Sequence, residues 1–280
     1  MKPSPDYSRM GKDFWADIRS ISQKVGYTVR GKNVIRVPAI EEIKDVYKKI
    51  GLTSSHLVTR ENRLTARGKK VVGYFNYRAK VLNTEVEPLL MDVSDARAVF
   101  DRLHEELKPK CHIPMNKQKG DKKTPSYFTG IINMLIAANA NGADCDYNPR
   151  ELTTVTRENR PLRTFARWVD GAFPKAVNPV AVWEIKEYYY TTTFGSRVAD
   201  GVYESLLDGM EMEELREHEG LHVLHYLMVD SHYTWWECGK SYLCRLIDML
   251  NMRYVDEILF GREVVDRLPE IVKEWQKLVR

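Results

Sequence analysis

The chain has 280 residues, 43% of them hydrophobic, and a formal net charge of +4. That content fills a substantial core, no run of about eighteen apolar residues offers a membrane span, and MKPSPDYSRMGKDFW lacks the apolar stretch of a secretory leader. A globular, cytoplasmic protein with no membrane partner is therefore expected. The four cysteines, Cys111, Cys145, Cys238 and Cys244, form no C-x-x-C pair and no zinc-ligand spacing, which argues for reduced thiols and against redox chemistry.

Residues 7–25 and 39–50 carry helically spaced apolar side chains, with Gly26 and Gly51 as stops. VTRENRLTARGKKVVGYFNYRAKVL, 58–82, alternates and contains Gly68 and Gly73, which predicts a hairpin. Residues 94–107 read as a helix, NKQKGDKKTPS as a lysine-rich loop, and SYFTGIINMLIAANA as a buried helix. From residue 163 the pattern changes: RTFARWVDGAF reads as a strand, PKAVNP as a turn, and VAVWEIKEYY as a second strand. A helix should follow, capped by Ser196, striped by Val198, Val202 and Leu206, and stopped at Gly209. LHVLHYLMV, 221–229, predicts a strand, and residues 239–251 and 262–279 predict helices, the last kinked or divided at Pro269. The fold class is α/β (α+β), a central mixed β-sheet flanked by helices. A largely helical lobe spans 1–155 and a second unit spans 156–280.

Within VAVWEIKEYY, Glu184 and Lys186 fall on one face of the strand, roughly 7 Å apart. A turn centred on Val177 sets Asp170 opposite Glu184 on the neighbouring strand, with Cβ atoms about 5 Å apart. Two carboxylates this close repel, and burial penalises their ionised forms, unless a cation joins them. Mg²⁺ suits the role: it accepts one or two carboxylates and a carbonyl, and completes its shell with water and phosphate oxygen. Lys186 is placed to orient an attacking water or to neutralise developing charge. An acid two residues before a lysine also occurs at Glu42, Glu106 and Asp121, but only Glu184 lies in a predicted strand.

Asp170, thirteen intervening residues, then Glu184-Ile185-Lys186, on consecutive strands followed by a helix, resembles the core of the PD-(D/E)xK nuclease superfamily, in style a type II restriction endonuclease. The likeness covers residues 163–230, and Val169 stands where the family often has proline. It implies a restriction-endonuclease-like core in which Asp170, Glu184 and Ile185 hold Mg²⁺ and Lys186 assists the water. It also implies a homodimer that cuts both strands of double-stranded DNA.

Charge distribution fits a polyanionic partner. Residues 1–180 hold 32 Lys and Arg against 20 Asp and Glu, a net of +12, whereas residues 181–280 hold 11 against 19, a net of −8. Candidate nucleic-acid contacts are Lys69, Lys70 and Arg78 in a segment that interleaves cations with aromatics. Lys119, Lys122 and Lys123 lie in the lysine-rich loop, Arg163 and Arg167 lead into the site, and Ser196 and Arg197 open a helix. The competing readings are a structure-specific repair nuclease, a non-catalytic DNA-binding protein, and a zinc peptidase through His218-Glu219-x-x-His222. The peptidase needs both histidines on one helix, whereas Gly220 interrupts the motif and the apolar block after it predicts a strand that holds them about 13 Å apart.

Overall fold

A computed structural model of the chain describes residues 1–29, 32, 34–117, 123–190 and 196–279. The first elements are α1 (Lys12–Val25), a short antiparallel pair β1 (Thr28–Val29) and β2 (Val34–Ile35), α2 (Ile40–Lys49) and α3 (Ala66–Val81). Their apolar faces close a core around Phe14, Trp15, Ile43, Tyr47, Val71 and Tyr74. The hairpin predicted over 58–82 is instead α3, preceded by a single bridge from Val58 to Leu64. The Thr65 hydroxyl caps the helix by accepting from Gly68 N at 3.0 Å, and Val71, Tyr74, Phe75, Arg78 and Val81 turn inward at helical spacing. Burial of that stripe outweighs the local alternation on which a hairpin would depend.

The chain continues through α4 (Val93–Leu107) and α5 (Tyr127–Asn139), both as predicted, then a hairpin of β3 (Thr154–Arg157) and β4 (Arg160–Thr164). Glu158 and Asn159 turn that hairpin at φ 52° and 61°. The single strand predicted for RTFARWVDGAF is therefore two pieces, β4 and β5 (Gly171–Phe173). Between them the Glu211 carboxylate accepts from Ala166 N at 3.1 Å and holds the chain away from either ladder.

β6 (Ala181–Glu187), α6 (Ser196–Glu219), β7 (Leu224–Asp230), α7 (Lys240–Asn251), β8 (Glu257–Phe260) and α8 (Glu263–Leu278) complete the chain. The main sheet runs β5-β6-β7-β8, antiparallel between β5 and β6 and parallel thereafter, so the chain is mixed α/β with the mixed sheet expected. Helices α6 and α7 make the two crossovers that parallel neighbours require. Ala181 and Trp183 share one face with Tyr226, Met228 and Leu259, packed against α4, α5 and α8, and Trp183 stacks on Trp275 at 5.4 Å and 9°. Leu227, Val229, Ile258 and Phe260 cover the other face with α6 and α7. Pro269 lies inside α8, which runs on as one helix. Gly209 does not end α6; a Cβ there would stand 2.4 Å from the Tyr254 carbonyl, so this glycine serves close packing within a helix of 24 residues. Among the described residues no helix is long and apolar enough to cross a membrane.

A buried ion pair joins α3 to α7. Arg78 Nη1 reaches both Asp248 oxygens at 2.9 and 3.0 Å, and Tyr74 Oη donates to Asp248 Oδ1 at 2.6 Å. Arg78 Nε and Nη2 have no hydrogen-bond partner, and the guanidinium lies 5.0 Å from the Tyr27 ring and 4.9 Å from that of Phe75. Arg78 therefore offers nothing to a nucleic-acid phosphate, which corrects its place among the candidate contacts. Removing one member of such a pair strands the other charge away from water. Arg78→Leu is expected to cost about 3–5 kcal/mol in urea unfolding. The double variant Arg78→Leu/Asp248→Leu should recover most of that loss, and a double variant no more stable than the single would refute the ion pair as the cause.

Candidate active site

Strands β5 and β6 pair Gly171 with Trp183, Ala172 with Val182 and Phe173 with Ala181. Each pair is centred on residue 177, so one step further the register sets Asp170 across from Glu184, the arrangement expected from the turn. Asp170 N donates to Trp183 O at 3.1 Å, and its Oδ2 accepts from Ile185 N at 2.7 Å. On β6 the even-numbered residues 184 and 186 face α6, and Lys186 Nζ donates to Glu184 Oε2 at 2.7 Å. The structure thus brings Asp170, Glu184, Ile185 and Lys186 together at one end of the β5–β6 pair.

Three further residues complete the cluster. Arg167 Nη1 lies 2.9 Å from Glu184 Oε1 and donates to Asp208 Oδ2 at 2.6 Å, while Nη2 reaches Glu204 Oε2 at 3.2 Å. Glu204 Oε2 also accepts from Lys186 Nζ at 3.2 Å. Arg167, a candidate DNA contact by sequence, turns inward onto these acids. Glu184 Oε1 is buried and stands within ion-pair distance of Arg167 but has no hydrogen-bond partner. Gly201, on the same face of α6, makes room for the lysine stem; a Cβ there would stand 3.2 Å from Lys186 Cδ.

Four carboxylates, Asp170, Glu184, Glu204 and Asp208, share two cations, which leaves the cluster two positive charges short. The protonation equilibria carry that deficit. Burial pushes Asp170 up to about 6, and the neighbouring Glu184 charge adds to it. Burial and Glu184 likewise push Asp208 up to about 7, against the pull of Arg167. Burial also raises Glu184, but Lys186 and Arg167 more than offset it, so its carboxyl lies below the ordinary value. The ammonium of Lys186, despite burial, is held by Glu184 and Asp170 above the usual lysine range. Asp170 is solvent-exposed while Glu184 beside it is 1% exposed.

A second group of buried acids is closed by donors. Asp230 accepts from Met91 N and Ser231 N at 2.8 Å each and from the Tyr189 hydroxyl, and Glu187 accepts from Thr129 N and Oγ1 at 3.0 and 2.9 Å. These acids anchor α5 and the loop before α4 to the sheet.

The remaining candidates scatter. Lys69 and Lys123 are exposed, Lys70 lies 5.2 Å over the Tyr7 ring, and Arg163 pairs with Glu214 at 2.8 Å. Ser196 begins α6 and Arg197 is exposed in its first turn, whereas Lys119, Lys122 and the TTTFG segment fall outside the described residues. His218 and Glu219 end α6, Gly220 halts it at φ 66°, and His222 pairs with Asp256 at 3.2 Å. Since β7 starts only at Leu224, the two histidines share neither a helix nor a strand, and the motif has no chelating face. His225, on β7, donates from Nδ1 to the Tyr254 carbonyl, 2.8 Å away, while its Nε2 is buried without a partner. Burial holds this imidazole below its ordinary value. Among the described residues no group of three or more His, Cys, Asp or Glu side chains is placed to hold a metal ion.

Comparison with protein families gives two matches, one to a domain of unknown function over residues 91–275 and another over residues 1–85. The chain belongs to the DUF7687 family. The DUF7687 domain contains the whole acidic cluster and sheet, and the second match, DUF7690, covers α1 to α3. No curated protein and no solved structure matches the chain.

Sequence reasoning singled out Asp170, Glu184 and Lys186, which the structure brings together, and missed Asp208 beside them. The available signal was the spacing Gly201, Glu204, Asp208, one face of α6 at i, i+3 and i+7. A carboxyl whose proton affinity is raised on folding lends stability that is fully present below its ordinary 3.8 and is lost as pH rises through about 7, as for Asp208. Asp208→Asn should therefore flatten the fall in urea midpoint between pH 5 and 8 relative to the parent. Parallel pH profiles for the two proteins would show that Asp208 is not carrying the deficit.

Proposed function

We propose that this protein is a Mg²⁺-dependent endonuclease of double-stranded DNA, of the restriction type, with a PD-(D/E)xK-like core acting as a homodimer. The observation that carries the reading is the register of β5 on β6, which brings Asp170 to Glu184 and Lys186 in a cluster two positive charges short. A divalent ion makes up that shortfall. Asp170 with its access to solvent, Glu184 Oε1 with no hydrogen bond, and the Ile185 carbonyl form a hard oxygen donor set that fits Mg²⁺. When bound, the ion would polarise the phosphoryl group and lower the pKa of water.

The chain's own residues supply the rest. Lys186, fixed as an ammonium by Glu184 and Glu204, sits beside both carboxylates and is placed to orient water and to offset charge on the pentavalent phosphorus. Arg167 holds Glu184, Glu204 and Asp208 on one guanidinium and keeps α6 against β6. Trp168, 54% exposed and two residues before Asp170, offers an exposed ring on which a base can stack. Exposed Lys69, Lys123 and Arg197 remain available to backbone phosphates.

Incubation of purified protein with unmethylated phage DNA and MgCl₂, followed by sequencing of fragment ends, tests the reading. Discrete ends are expected, and EDTA should abolish them. Asp170→Ala, Glu184→Ala and Lys186→Ala should each lower cleavage by about a hundredfold or more while unfolding as cooperatively as the parent. A smear would indicate a nuclease without site preference, and absence of cutting with retained DNA binding would leave the non-catalytic reading in its place. Parental rates in a folded variant would remove that residue from the site.

A further inference from the structure

The two matched units meet at a cavity of about 610 Å³, within the range of small-molecule sites, which favour such junctions. Helix α1 and Tyr27 form one side, and α6, α7 and Tyr254 form the other. Its lining combines cations with flat rings. Among the described residues neither Arg19 nor Arg245 has a carboxylate within ion-pair distance; Arg19 Nη2 donates to Met252 Sδ at 3.5 Å, and Arg245 Nη1 donates to the Tyr203 hydroxyl at 2.7 Å. The Arg245 guanidinium lies 5.1 Å from the Tyr27 ring and 5.8 Å from that of Tyr203. One acid, Asp248, lines the cavity, and its oxygens are already taken by Arg78 and Tyr74. Lys12 adds a third cation, 3.8 Å from Glu213.

Two guanidinium forks without acid partners recognise a planar or tetrahedral oxyanion by paired hydrogen bonds. Tyr27, Tyr203 and Tyr254 offer aromatic surface beside them, and a purine or pyrimidine stacks on such faces whatever its edge. We infer that the cavity binds a nucleotide unit, its phosphate on Arg19 and Arg245 and its base among the three tyrosines. The unit can come from a free nucleoside phosphate or from a nucleotide of a single strand. This site lies on the far side of α6 from the acidic cluster: Tyr203 and Leu206 face the cavity while Gly201, Glu204 and Asp208 face Lys186 and Arg167.

Calorimetric titration of the full chain in EDTA, with AMP, GMP, CMP and UMP, with adenosine, and with a single-stranded pentanucleotide, tests the inference by binding alone, independently of any cleavage. Saturable binding of at least one monophosphate is expected, with adenosine weaker by about tenfold or more, the size of a lost charged hydrogen-bond pair. Arg19→Ala and Arg245→Ala should each weaken it by a similar factor, and Ala16→Trp, at an exposed position on the cavity wall, should block it without lowering the melting temperature. Binding of the pentanucleotide alone, with the same dependence on both arginines, assigns the unit to a polymer. No heat from any phosphate-bearing probe, or heat indifferent to both arginine substitutions and to Ala16→Trp, overturns the proposal.

Discussion

An imbalance of charge around Glu184 determines what this part of the molecule can be. Arg167 and Lys186 each serve several carboxylates, so no acid in the cluster has a cation to itself. Burial makes that shortage expensive, because a buried anion without full compensation either takes up a proton or draws in a counter-ion. Hydrophobic residues of similar volume would pack the same space at no electrostatic cost. Burial raises the carboxyls of Glu187 and Asp230 as well, but there backbone and hydroxyl donors fill the oxygens, whereas around Glu184 the compensation is ionic and shared.

The scaffold beneath the cluster is stiff. Trp183 alternates with Glu184 on β6, so the face that stacks on Trp275 also fixes the rise and twist at which the acids leave the sheet. The residues expected in an N-terminal lobe divide between two cores: α1 to α3 enclose their own aromatic cluster, whereas α4 and α5 share a core with β6 and α8. Arg78 and Asp248 tie the first group to α7, a directional link between surfaces that apolar contact alone would let slide.

The sequence made the hairpin register legible because it rests on two local signals, turn chemistry at 174–179 and strand alternation on either side. Given both, simple symmetry placed Asp170. The long helices were equally readable from their apolar period. Segment 58–82 was not, since its inward stripe gains its advantage from α1, α2 and α7, which no local window contains. The roles of Asp208 and Arg167 depended on the docking of α6 onto β6, a distance of some twenty to forty residues along the chain, and a lone acid or arginine carries no mark of the partner it will find. Arg78 read as one more cation in a basic stretch until folding enclosed it.

Helix α6 is a wall with two rooms. At 24 residues and about 1.5 Å per residue it is a rod of some 36 Å, seated by the contact of Gly209 with Tyr254 on one side and by Arg167 on the other. Anything that crowds Tyr203 or Leu206 must either be absorbed by local give in the cavity or shift the rod, and a shift of the rod moves Glu204 and Asp208 relative to Lys186 and Arg167, the cations they pair with. Acidity at the cluster is thus exposed to events on a surface with which it shares no atom.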